Sequence, residues 1–137
     1  MEEDCIFCKI VDKKIPAEIV YENNNTIAFL DISPASKGHT LVISKKHSKI
    51  ISDMADKDLN DLILTVKNLS SILLKFNKGV NLVQSNGKEA GQEVFHVHFH
   101  LIPRSENDNL DVGRWNSHKY KDEKERKAVA NKIRSFF

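Results

Sequence analysis

His96, His98 and His100 alternate with hydrophobic residues in one short segment of this chain. In a β-strand successive side chains point to opposite faces, so this spacing predicts one row of three imidazoles and a second, apolar row that packs inward. Neighbouring imidazoles of such a row lie roughly 6.5 Å apart. Packing alone does not explain three histidines in register, and the segment therefore predicts a functional site.

Two chemistries are open to a row of imidazoles. Histidine nitrogens can ligate zinc, with a further ligand from elsewhere in the chain and one position left open. Alternatively, one neutral imidazole attacks phosphorus while its neighbours hold the phosphate oxygens. Side chains at i, i+2 and i+4 of a straight strand are too widely spread to converge on one tetrahedral ion, which disfavours a metallohydrolase that uses the row itself.

The length and charge of the chain restrict its class. Its 137 residues suffice for one domain with a continuous core. A formal net charge of +2 does not predict a nucleic-acid partner. The N-terminus lacks the basic and apolar regions of a secretory signal, and no run of about eighteen apolar residues predicts a membrane span. We therefore expect a soluble, cytoplasmic protein without a membrane partner.

The only two cysteines, Cys5 and Cys8, form a C-x-x-C motif. In a compartment where thiols stay reduced, this spacing favours two metal ligands over a disulfide. Two buried thiols on one helix face are the structural alternative. A zinc site here would need more ligands, because zinc prefers four from cysteine and histidine.

Hydrophobic periodicity predicts an α+β fold with a mainly antiparallel sheet and helices on one side of it. The longest helix is amphipathic, with apolar positions recurring between Leu59 and Phe76. We expect one domain over residues 1–137, with a core at about 5–104 and a C-terminal extension at about 105–137. The other predicted elements are a short helix from Ile6 that ends before Pro16, strands at 18–22, 26–32, 40–44 and 80–84, the histidine strand, and a final helix at about 122–136 that docks through Ala128, Val129, Ile133 and Phe136.

Four segments carry a resemblance to a known family. They are residues 31–34 (Asp-Ile-Ser-Pro), 38–47 (from Gly-His-Thr-Leu to Lys-His), 91–92 (Gly-Gln) and the alternating histidines. In this order and at these intervals they resemble the histidine triad (HIT) nucleotide-binding family, over residues 5 to about 104. The C-x-x-C opening and the Ile-Pro-Arg sequence at 102–104 are most similar to its bacterial-type branch. The resemblance implies a homodimer of α+β subunits that hydrolyses or transfers nucleotides attached through phosphate.

The resemblance also assigns roles to individual residues. His98 matches the nucleophile that forms a covalent nucleotidyl intermediate, and His100 matches the neighbour that donates to the α-phosphate. His96 matches the residue that organises the row or binds metal, and Asp31 matches the acceptor for the ribose hydroxyls of an AMP-like purine nucleotide. A turn-capping role is the structural alternative for Asp31. The remaining expected nucleotide-binding residues are Phe29, Leu30, Ile32, Ser85, Asn86, Gly91 and Gln92.

For the metal, the resemblance implies a structural zinc held by Cys5, Cys8, His47 and His96. His96 fits better than His98, because a ligating His98 would have its nucleophilic lone pair occupied. The chemical step itself would need no metal. Ser85, where many relatives carry asparagine, and Glu93, where some carry serine, leave the substrate open. A non-catalytic nucleotide-binding adaptor module is the main alternative function.

Overall fold

The computed structural model describes residues 4–112 and 118–137 as three α-helices and a five-stranded sheet. The strand order is β1-β2-β3-β5-β4, and every neighbouring pair is antiparallel. This architecture confirms the predicted α+β class. The strands are β1 (Ile19–Glu22), β2 (Thr26–Leu30), β3 (Thr40–Ser44), β4 (Gly79–Val83) and β5 (His98–Arg104), and the helices are α1 (Ile6–Val11), α2 (Asp56–Leu73) and α3 (Glu123–Arg134).

Both faces of the sheet are covered. On one face, Leu62, Val66 and Leu69 of α2 pack against Ala28, Val42 and Leu101 of the sheet. On the other face, Phe7 and Ile10 of α1 pack against Ile27, Phe29, Leu41 and Ile43. The prediction that the helices lie on one side is therefore wrong. Strands β2 and β3 are nearly continuous apolar runs, which is typical of strands buried on both faces.

The alternation of the histidine strand is present only in part. Strand β5 begins at His98, and in its register with β3 His98 lies opposite Ile43 and His100 opposite Leu41. These two imidazoles therefore share the face that α1 covers. His96 precedes the strand in a bend at residues 94–96. The expected row thus consists of two strand residues and a third histidine that the bend directs elsewhere.

The C-terminal extension differs from the prediction. Helix α3 forms at nearly the expected place, but none of its residues is buried. Ala128, Val129, Ile133 and Phe136 are each exposed, so their expected docking onto the core of the same chain is wrong. Helix α3 is rich in lysine and arginine, and its apolar residues are too few to form a continuous apolar stripe. Within the described residues, no helix combines the length and hydropathy that crossing a membrane requires.

Candidate active site and metal centre

The ring of His98 is oriented by a backbone carbonyl. Its Nδ1 lies 2.7 Å from the carbonyl oxygen of His96, and since a carbonyl only accepts, Nδ1 carries the proton. Burial lowers the pKa of His98, against the opposing effects of that hydrogen bond and of Asp31. The ring is therefore neutral at pH 7, with a lone pair on Nε2. A neutral imidazole in this tautomer can act as a nucleophile.

A chain of hydrogen bonds fixes the tautomer of His100. The backbone N–H of Ala35 donates to His39 Nδ1 at 3.0 Å, so His39 carries its own proton on Nε2. That nitrogen lies 2.9 Å from His100 Nδ1, which must accept. His100 then carries its proton on Nε2, where it can donate to a phosphate oxygen. Burial, followed by neighbouring His98 and His39, lowers the pKa of His100 to about 4.

Asp31 approaches these histidines from the end of β2. One carboxylate oxygen accepts from the Ser33 backbone N–H at 2.8 Å, and the other lies 3.6 Å from His39 Nε2. Asp31 therefore both caps the turn and lies next to the histidines. Because each carboxylate oxygen accepts more than one hydrogen bond, Asp31 retains capacity for hydroxyl donors.

Asp31, His39 and His100 also have the composition of a metal site, with ligand atoms within 4.8 Å of one another. The hydrogen bond from Ala35 argues against a metal there. It occupies the Nδ1 lone pair of His39 and leaves a proton on Nε2, so His39 presents a donor to the other two residues. The cluster is a hydrogen-bond network that orients His100.

A second cluster has the geometry of a zinc site. His96 Nδ1 lies 3.4 Å from Cys5 Sγ and 3.5 Å from Cys8 Sγ, and His47 Nδ1 lies 3.3 Å from Cys8 Sγ and 3.2 Å from His96 Nδ1. Tetrahedral zinc with ordinary bond lengths separates sulfur from nitrogen by about 3.5 Å and nitrogen from nitrogen by about 3.3 Å. The four side chains therefore fit zinc with little movement.

The hydrogen bond at the other nitrogen of His96 also supports a zinc site. His96 Nε2 donates to the carbonyl oxygen of Ser44 at 2.7 Å, which leaves the Nδ1 lone pair directed at the two cysteines. Such a contact is the usual way in which proteins fix the tautomer of a metal-binding histidine. Burial lowers the pKa of His96 to about 4, so this lone pair is available at neutral pH.

The expected nucleotide-binding residues beside Asp31 have different environments. Phe29 is buried in the core, with its ring centroid 5.5 Å from that of Phe7 in an edge-on arrangement. Leu30 is partly exposed, and Ile32, next to Asp31, is 97% exposed. Leu30 and Ile32 are thus accessible to a ligand beside Asp31, whereas Phe29 contributes to packing.

The loop before the triad is held together by amides. Gln92 is buried; its Oε1 accepts from the Gly87 N–H at 2.8 Å and its Nε2 donates to the Lys49 carbonyl at 2.7 Å. Asn86 Oδ1 accepts from the Ile51 N–H at 2.8 Å. Within the described residues, no hydrogen bond joins Ser85, Asn86, Gly91 or Gln92 to a triad imidazole. These residues shape the loop that leads to the site.

His39 and Phe7 are functional candidates that the sequence reasoning missed. His39 orients His100, and the Phe7 ring packs edge-on against His98 with centroids 5.1 Å apart. His39 lies immediately before β3, and a histidine next to an apolar strand could have marked it in the sequence as a candidate site residue. Its relevance depended on knowing that β3 pairs with β5, which periodicity does not reveal.

Comparison with known proteins identifies the family. Residues 12–107 match the family described as HIT domain. An adenosine 5′-monophosphoramidase of Schizosaccharomyces pombe is 42% identical over 132 residues, which cover 96% of each chain. A HIT family structure from Bacillus subtilis has a TM-score of 0.90 at 34% identity, and a zinc-bound histidine triad family protein from Mycobacterium smegmatis has 0.76 at 30%; each alignment covers 98% of both chains. The chain therefore belongs to the HIT domain family.

Proposed function

We propose that this protein hydrolyses a nucleoside phosphoramidate, with an AMP-like nucleotide joined to an amine, through a nucleotide bound covalently to His98. The observation that carries the proposal is the tautomer of His98, whose Nδ1 donates to the His96 carbonyl and leaves Nε2 nucleophilic. The similarity to an adenosine 5′-monophosphoramidase supports the choice of an amine as leaving group.

The proposed reaction has two steps. In the first, His98 Nε2 attacks the α-phosphorus, the phosphorus–nitrogen bond to the amine breaks, and the departing amine takes up a proton from solvent. His100 Nε2–H donates to a phosphate oxygen as charge develops there. In the second, water attacks phosphorus, the bond to His98 breaks, and a proton is released as AMP leaves. The enzyme provides mainly positioning and charge compensation, as phosphoryl transfer requires.

Asp31 and its neighbours suit the nucleoside. The Asp31 carboxylate can accept from both ribose hydroxyls, and the exposed Leu30 and Ile32 offer apolar contacts for a base. Glu93 is also exposed; because its charge would repel a phosphate at close range, we expect it to point away from the bound nucleotide.

Trapping of the covalent intermediate tests this proposal. A rapidly quenched mixture of protein and adenosine 5′-monophosphoramidate should contain a peptide that carries AMP on His98. The His98→Ala variant should bind AMP but lack both the adduct and turnover, whereas His118→Ala, at an exposed histidine, should keep both. Binding without an adduct or turnover in the wild type would instead indicate a nucleotide-binding module. Turnover that chelation abolishes and metal restores would indicate a metallohydrolase.

We also propose that Cys5, Cys8, His47 and His96 hold a structural zinc ion, since four protein ligands leave no open position. The zinc would tie α1 to the segments around His47 and His96, and no step of the reaction passes through it. The thiolate ligands agree with a cytoplasmic location, where cysteines stay reduced. Elemental analysis should find about one zinc per chain, and the Cys5→Ser, Cys8→Ser double variant should contain none.

A homodimer is the third proposal. Strand β4 is an edge of the sheet, and an unpaired edge is available for pairing with another chain. Leu82 on β4 and Ile63, Leu64 and Ile72 on α2 are all exposed. Light scattering should give the mass of two chains, and Leu82→Asp should shift it toward one. A monomeric wild type at micromolar concentration would contradict this proposal.

A further inference from the structure

Helix α1 is too short to be stable by its own hydrogen bonds. It has six residues, from Ile6 to Val11, whereas isolated helices shorter than about twelve residues are marginal in water. Its position depends on what its side chains contact. Cys5 caps the helix, its Sγ accepting from the Cys8 N–H at 3.4 Å, and both cysteines face His96. The cysteine–histidine cluster therefore anchors the N-terminal half of α1.

Phe7 lies between Cys5 and Cys8 in the sequence, and its ring contacts the face of the sheet that carries His98 and His100. Its ring centroid is 5.1 Å from that of His98, with the ring planes at 86°. It also lies 6.0 Å from the His96 ring, at 70°. These edge-on arrangements are favourable between aromatic rings. The phenyl ring thus packs against both the proposed nucleophile and a proposed metal ligand.

The His98 ring needs a lateral support. Its single described hydrogen bond, from Nδ1 to the His96 carbonyl, fixes one atom but leaves the ring able to pivot about that contact. Two further rings pack against it, that of His100 with centroids 5.0 Å apart and that of Phe7 with centroids 5.1 Å apart. Attack on phosphorus requires Nε2 in line with the leaving group, so a pivot of the ring lowers the reactive fraction.

We propose that Phe7 is a positioning residue for His98, through which the cysteine–histidine cluster controls the orientation of the nucleophile. The inference rests on the proposed role of His98 and extends it to the metal centre. His96 gives the cluster a second connection, because the same residue offers Nδ1 to the metal and its carbonyl oxygen to His98. Disturbing the cluster therefore moves both supports of the His98 ring.

The test compares Phe7→Leu with Ile10→Val in the zinc-loaded protein. Both residues belong to α1 and are buried in the same apolar cluster, and Phe7 is the one whose ring packs edge-on against the His98 imidazole. Phe7→Leu should lower kcat with adenosine 5′-monophosphoramidate about 2- to 12-fold, the value of an aromatic pair, and leave KM within about twofold. Ile10→Val should leave both constants near those of the wild type.

A spectroscopic signal separates positioning from a loss of packing and does not depend on the activity. In the free protein, the Nδ1–H proton of His98 should give a protected NMR signal because of its bond to the His96 carbonyl. Phe7→Leu should speed its exchange with water while the zinc content stays unchanged, and Cys5→Ser should have the same effect. The double variant should show no larger effect than Cys5→Ser alone, because loss of the cluster already disturbs the Phe7 support.

Two results would overturn the inference: an unchanged His98 signal in Phe7→Leu, or an equal change in Ile10→Val. If Phe7→Leu does not fold, Phe7→Met replaces it, because the flexible methionine side chain fills irregular gaps in a core without a ring. The signal is measured without substrate. Positioning can therefore be refuted while the AMP adduct still forms, and the adduct can be absent while the signal responds as expected.

Discussion

His39 should control catalysis only through His100, and a double-mutant cycle can show this. His39→Phe keeps a ring of similar size but removes the Nε2–H that donates to His100 Nδ1 at 2.9 Å. The His100 ring can then exchange tautomers and turn, so its Nε2–H is no longer held toward the phosphate. His39→Phe should therefore lower kcat more than it raises KM.

Two reference values bound the decrease in kcat expected for His39→Phe. Loss of one neutral hydrogen bond costs about 0.5–1.5 kcal/mol, or about a 2- to 12-fold decrease in rate. Complete loss of a donor to the developing phosphate charge, as in His100→Ala, costs about 100- to 1,000-fold. Since His39 orients that donor without replacing it, we expect a decrease in kcat of about 10- to 100-fold for His39→Phe.

The assay follows AMP release from adenosine 5′-monophosphoramidate by His39→Phe, His100→Ala and the double variant. If His39 acts through His100, the double variant should be no slower than His100→Ala alone. His118→Ala is the control for replacing a histidine at an exposed position. Independent effects that multiply in the double variant would refute the reasoning and would indicate that His39 acts through Asp31, 3.6 Å away.

Three further predictions concern stability. The pKa of His100 is lowered to about 4, so the folded state binds fewer protons than the unfolded state between pH 6.5 and 4. Urea denaturation should therefore show the free energy of unfolding falling as the pH drops through this range, with at most about 3 kcal/mol of the decrease coming from His100. The decrease should be smaller in His100→Gln. Leu62→Ala should lower the free energy of unfolding by about 2–5 kcal/mol, because Leu62 is fully buried beneath the sheet. Gly91→Ala should cost about 1–2 kcal/mol by the same assay, from backbone strain, because φ is +91° and no atom beyond its two chain neighbours lies within 4 Å of the added methyl group.

The sequence predicted the elements whose side chains repeat with a clear period. Helix α2 was expected from Leu59 to Phe76 and runs from Asp56 to Leu73. Its first turn is polar and carries no apolar signal, and its expected last turn lies beyond the helix. Strands β1 and β2 were expected at 18–22 and 26–32 and run over Ile19–Glu22 and Thr26–Leu30. In the turn between them, Asn23 Oδ1 accepts from the Asn25 and Thr26 N–H groups. Local chemistry was sufficient in both cases.

The sequence did not predict features that depend on contacts between distant segments. The face covered by α1 follows from Phe7 and Ile10 meeting β2 and β3, and six helical residues carry too few positions to define a face. The role of His39 depends on β3 lying beside β5, although 53 residues separate Ser44 from His98. The contacts of Gln92 are of the same kind, since its buried side-chain amide bonds the Gly87 N–H and the carbonyl of Lys49, 43 positions away in the sequence.

The three histidines of the triad differ in which ring nitrogen is engaged, because they differ in partners. His96 donates through Nε2 to Ser44 and therefore presents the Nδ1 lone pair to the cysteines. His98 donates through Nδ1 to the His96 carbonyl and presents the Nε2 lone pair. His100 accepts at Nδ1 from His39 and presents an Nε2 proton.

The same side chain can thus act as a metal ligand, a nucleophile or a donor, according to which nitrogen is already engaged, and these are the roles proposed for the three residues. The engaging partners come from the end of β3, from the backbone before β5 and from the residue preceding β3, so the fold assigns the roles. A substitution that removes a partner should therefore change the function of an unchanged histidine. In this site, Ser44, which binds through its carbonyl, should tolerate side-chain replacement, whereas His39, which binds through its ring, should not.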